Sequence, residues 1–169
     1  YSTSTPRARV RYLARQLVPS GVWPPSRGRG VAPLTTAHAA LLVFAVACAE
    51  KAGDMAALVT DFGSLELQAD PDSSMAGMAG STLLHTLAGL LEPHCRADVR
   101  LKLYRHSGGE AAADVEVEVG EKGVLWPFWH KPHWSGWSRR TWELSPEGFG
   151  MLRSLLARDD LDGMEFKRA

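Results

Sequence analysis

Residues 99–119 read VRLKLYRHSGGEAAADVEVEV, and the spacing of this stretch decides how the second half of the chain folds. Val99, Leu101 and Leu103 alternate with Arg100, Lys102 and Tyr104, while Val115, Val117 and Val119 alternate with Asp114, Glu116 and Glu118. Successive side chains of a strand point to opposite faces, so a period of two marks two half-buried strands. The break at His106-Ser107-Gly108-Gly109 lets them fold back as an antiparallel hairpin whose wet face sets a basic row against an acidic one. Val124 to Trp129 and Arg139 to Leu144 read as further strands. Ser145-Pro146-Glu147 then starts a helix, with a cap, a proline in the first turn and an acid at the positive dipole end. Phe149, Leu152, Leu155 and Leu156 give that helix a face to lay over the sheet.

Towards the N-terminus the period lengthens. Val10, Leu13, Ala14 and Leu17 fall at i, i+3, i+4 and i+7, the stripe of an amphipathic helix from Arg7 to Val18 that Pro6 opens and Pro19 ends. Arg7, Arg11 and Arg15 recur every fourth residue and form a ridge on the opposite face. Residues 20–33 hold three prolines and three glycines and form a tight exposed loop or small wing, with Arg27-Gly28-Arg29-Gly30 at its tip. Thr35 or Thr36 caps a second helix reaching about Ala52, and Asp54 a third reaching about Leu65. With Gly53 at a turn, Ala49, Val59 and Phe62 fit a helix-turn-helix packing pattern, but the residues left exposed, Met55, Ala56, Ala57, Thr60 and Asp61, suit a scaffold better than a reader of bases. Ser81 caps a fourth helix, Thr82 to Leu91. The resulting division is a basic helical region over 1–67, a linker or mobile loop over 68–80, and an α+β region over 81–169. The fold class expected is α+β: an N-terminal helical, winged-helix-like part, then a small antiparallel sheet covered by a C-terminal helix.

Charge is segregated along the chain. Residues 1–51 carry +6 and residues 52–92 carry −6, and the remainder cancels, so the formal zero conceals a cationic N-terminal region beside an anionic one. A cationic surface is the footprint of a polyanion partner. The bland alternative is a solvated arginine face, or one neutralised by the acids of residues 52–92 in the same molecule.

The basic helix, the segment SGVWPPSRGRGVAPLT at 20–35 and the helices that follow resemble the recognition helix, wing and succeeding helices of MerR-type winged-helix DNA-binding domains, over residues 9–65. Val22-Trp23-Pro24-Pro25 stands where that family has its Leu-Pro turn, and Arg27 and Arg29 stand in the wing. The resemblance implies a DNA-binding transcriptional regulator, with a phage or mobile-element flavour. Arg7, Arg11 and Arg15 would grip phosphates, Arg27 and Arg29 would enter a groove, and the C-terminal sheet would mediate dimerisation or contact with another protein.

A second unusual segment runs from Trp126 to Trp137, where five of the residues are Trp or Phe. Trp126, Phe128 and Trp142 read as alternating core residues. Trp134 and Trp137, beside Arg139 and Arg140, suit an exposed partner-binding loop, which makes an inhibitor or adaptor docking through it the alternative function. His94, Cys95, His130 and His133 could assemble around zinc, but without a C-x-x-C or H-E-x-x-H spacing no metal or other cofactor is expected. Nucleophile-elbow, phosphate-loop and dinucleotide patterns are lacking too, so the chain reads as a non-enzyme. The longest apolar run, Ala37 to Ala49, is too short to cross a bilayer, and two cysteines make no disulfide framework, so a cytoplasmic setting is expected. No signal-peptide pattern is visible, and a start at Tyr1 leaves room for sequence ahead of it.

Overall fold

The computed structural model describes residues 7–19, 21–23, 35–48, 55–72, 75–106, 111–119, 122–129 and 139–157. Four helices come first: α1 (Arg7–Leu17), α2 (Thr36–Cys48), α3 (Met55–Gly63) and α4 (Leu83–Leu90). Strands β1 (Asp98–His106), β2 (Ala111–Val119), β3 (Lys122–Trp129) and β4 (Arg139–Leu144) follow, and α5 (Pro146–Ala157) closes the chain. The protein is therefore α+β. Among the described residues no helix is long and apolar enough to cross a membrane.

The four strands form one antiparallel sheet in the order β3-β2-β1-β4. β1 to β3 run as a meander and β4 returns beside β1, a Greek-key order. The hairpin pairs as its charges require: Arg100 stands opposite Glu116, and Lys102 opposite Asp114. Val99, Leu101, Leu103, Ala113, Val115 and Phe128 point to the helical side and are buried there. Their cluster also takes Leu13, Leu17, Phe44, Phe62, Leu83 and Phe149, so helices and sheet share one core. Trp126 and Trp142 pack at its border.

The joint between helices and sheet lies where a helical reading of the sequence fails. α3 ends at Gly63 rather than near Leu65, because Leu65, Glu66, Leu67 and Gln68 alternate buried and exposed and run extended. Glu66 bridges Thr82 on one side and Leu67 bridges Phe128 on the other. The Leu67 N–H donates to Ser81 O (2.9 Å) and the Gly80 N–H to Leu67 O (3.2 Å), which closes loop 68–80 at its base. That use of Ser81's backbone moves the cap of α4 one residue on: Thr82, extended at φ −75° and ψ 151°, accepts from the His85 N–H through its hydroxyl. Thr82→Ala should cost about 1 kcal/mol, read as a shifted midpoint in chemical denaturation without a change of slope.

α5 begins as its residues dictate. Its Glu147 carboxyl lies below its ordinary pKa, chiefly through a hydrogen bond with Ser145 and then through its own backbone N–H. Farther along, Arg153 reaches across to Leu90 O (2.7 Å) and Ala97 O (2.6 Å) and ties α5 to the α4–β1 connection.

Candidate nucleic-acid interface

α1 carries the candidate surface. Leu13 and Leu17 are buried on one row of the helix, and positions 7, 11 and 15 form a parallel row offset by two residues. At 3.6 residues per turn an offset of two is about 200°, so positions 7, 11 and 15 lie across the helix from the core. Arg15 is exposed, and among the described residues it makes no ion pair. Its place in the last turn suits the negative end of the helix dipole. Arg7 and Arg9 stand at the other end. The first turn holds no acid, and cations there oppose the dipole by roughly 0.3–1 kcal/mol each. Helix stability alone would not put arginine in these positions.

The chain leaves α1 by a firmly bonded turn. The Val18 N–H donates to Arg15 O (3.3 Å), the Gly21 N–H to Val18 O (3.0 Å) and the Trp23 N–H to Leu17 O (3.1 Å). Gly21 takes φ +73°, a conformation that a side chain disfavours. Trp23 packs against the core and sets its ring 5.5 Å from that of His38. His38 in turn locks the start of α2: the Thr35 hydroxyl accepts from the His38 N–H (3.2 Å) while His38 Nδ1 accepts from the Thr35 N–H (3.2 Å), a capping box with histidine in the usual glutamate place. Thr35 is thus the cap. Thr36 is instead free to donate to Glu92 Oε1 (3.1 Å). Both ends of the segment holding Arg27 and Arg29 are therefore pinned to the same helical layer. Arg27 and Arg29 themselves lie outside the described residues, as do Trp134 and Trp137. Arg139 and Arg140 fall on β4, where they pair with His106 and Arg105.

α3 is scaffold. Met55, Leu58, Val59 and Phe62 are all buried, which corrects the expectation that Met55 would be exposed, and Phe62 stacks on Phe44 at 6.3 Å. Asp61 and Thr60 remain outside. Among the described residues no ion pair joins the acids of 52–92 to Arg15. The described ion pairs all lie on the outer face of the sheet, where Arg100 approaches Glu116 (3.7 Å) and Glu143 (3.5 Å) and Lys102 approaches Glu116 (3.1 Å). That face also carries Asp98, Asp114 and Glu118, so its carboxylates outnumber its cations. A polyanion would be repelled from it.

The candidate zinc ligands do not gather among the described residues. Cys95 receives the Arg153 guanidinium at 3.5 Å, His94 is exposed, and no group of three or more His, Cys, Asp or Glu residues is arranged for a metal ion. His130 and His133 lie outside the described residues. No protein-family model, curated protein or solved structure matches the chain.

Proposed function

We propose that the protein is a DNA-binding regulator of transcription, cytoplasmic and of phage or mobile-element type, that meets DNA through α1 and an adjoining Arg-Gly-Arg wing. The observation that carries this reading is the arginine row of α1, set opposite the buried Leu13 and Leu17 and starting at a helix end where cations are electrostatically unfavourable. A duplex phosphate backbone supplies the missing counter-charge. The winged-helix resemblance adds the wing, whose glycines allow close backbone approach and whose arginines fit a narrow minor groove. The acidic outer face of the sheet supports the same orientation from the other side, since it disfavours any docking with the sheet towards DNA.

The wing is tested by replacing Arg27 and Arg29 with alanine and measuring duplex binding across a salt series on AT-rich and GC-rich fragments. The expected result is weaker binding, a log–log salt slope flatter by about two, and loss of any AT preference. Unchanged affinity, slope and preference would remove the wing from the interface.

A further inference from the structure

β3 is an edge strand, and among the described residues only half of its free side is covered. Gln68 N–H donates to Pro127 O (2.9 Å) and Trp129 N–H to Glu66 O (3.2 Å), which seals the second half. Over the first half Lys122, Gly123, Val124 and Leu125 are all exposed, with Val124 at 46% and Leu125 at 53%. The two sealing bonds fix the phase of the strand. Pro127 and Trp129 turn their backbone groups to the free side, so by the strand's period of two Gly123 and Leu125 do so as well, while Val124 and Trp126 bond to β2. Gly123 and Leu125 therefore each present an N–H and a C=O to whatever strand lies alongside.

We propose that this edge pairs with the same edge of a second copy, antiparallel about a two-fold axis at Val124, so that two sheets become one. In that register Gly123 of each copy exchanges both backbone bonds with Leu125 of the other, and every free group is used. A slip of two residues in one direction sets Gly123 against Pro127, which has no N–H and is already covered; in the other direction it runs off the start of the strand. The side chains agree with this register. Leu125 lies over Gly123, where no side chain competes and Glu118 Cγ would stand 3.5 Å from an added Cβ. Val124 meets its own copy, and Lys122 stands across from Trp126, a cation beside an aromatic ring.

Charge does not oppose pairing at this edge: β3 contributes one cation and no acid between Lys122 and Trp129, and the two-fold at Val124 sets Lys122 opposite Trp126 and not opposite its own copy. The acids of β2 and their copies would be separated by three strand spacings, roughly 14 Å, beyond the Debye length in physiological salt. Pro127 and the 66–68 cap limit pairing to one short segment, and a two-fold contact of this kind closes on itself instead of propagating. A segment of about four residues a side falls well short of the usual 800 Å² or so per partner, so the dimer is a concentration-dependent one.

This inference does not depend on DNA binding, and its test contains no DNA. Sedimentation velocity of the full chain from low micromolar to several hundred micromolar should show a monomer–dimer equilibrium. Val124→Lys and Val124→Glu, at an exposed site that leaves the fold intact by circular dichroism, should each be monomeric, and an equimolar mixture of the two should restore the dimer. Leu125→Pro removes an outward N–H in the same phase as the native Pro127, so it should abolish dimerisation while keeping the β2–β3 ladder. A wild-type chain monomeric throughout, or variants that dimerise as well as wild type, would overturn the proposal. Monomeric variants whose mixture stays monomeric would overturn the axis at Val124.

Discussion

Replacing Phe128 by alanine is expected to lower the folding stability by about 3–5 kcal/mol, a large share of the roughly 5–15 kcal/mol available to a domain of this kind. Phe128 has no solvent exposure, and it holds two layers at once. Its side chain enters the core shared by the helices and the sheet, while its backbone pairs with Ala113 on β2 and bridges Leu67 in the extended segment after α3. Truncation removes the transfer free energy of the ring and leaves a cavity that paired strands on both sides cannot readily collapse. Equilibrium urea denaturation of the wild type and the variant measures it. A loss below about 1 kcal/mol would mean that the joint between helices and sheet is packed otherwise than described.

Replacing Arg7, Arg11 and Arg15 together by alanine is expected to weaken duplex binding by roughly 10²-fold near physiological salt. Each phosphate contact releases about 0.9 counterion, so three contacts are worth about two powers of ten at that ionic strength, and the log–log salt slope should become flatter by about three. The fold should survive, because Leu13 and Leu17 hold α1 from the other face and alanine is the better helix former. Removing Arg7 also relieves an unfavourable charge at the positive end of the dipole. The signature sought is thus a loss of binding with stability kept or slightly raised. A destabilised variant with unchanged binding would instead assign the row an intramolecular role.

The parts of the fold legible in the sequence are those in which local pattern and tertiary environment agree. The hairpin of β1 and β2 alternates strictly because one of its faces is buried and the other is an ion-pair ladder, and α5 announces itself by Ser145-Pro146-Glu147. The extended segment at Leu65 to Leu67 escaped because three residues are too few to establish a period, and because the apolar spacing of α3 runs into them. Ser81 and Thr82 are equivalent as caps on paper. What separates them is a backbone bond to Ser81 from Leu67, fourteen residues back along the chain, which no local pattern records. Met55 departs from its expected exposure for a similar reason: a helix-turn-helix template exposes that position, but α3 packs both against α2 and onto the sheet. The exposure of Arg15 follows from its offset to Leu13 and Leu17 alone. The open half of β3 was invisible, since which strand lies at an edge depends on the sheet order and on the cap over Pro127 and Trp129.

The central claim is that α1 and its wing meet a polyanion. The most direct test is fluorescence anisotropy of the wild-type chain with AT-rich and GC-rich duplex fragments across a salt series. Three arginines on phosphates and two in a groove, each neutralising about one phosphate charge, predict tight binding at low salt and a log–log slope of about −4 to −5, with a preference between the fragments if the wing reads groove width. Absence of binding at low salt would contradict the account and leave the arginine row of α1 to be explained by a protein partner.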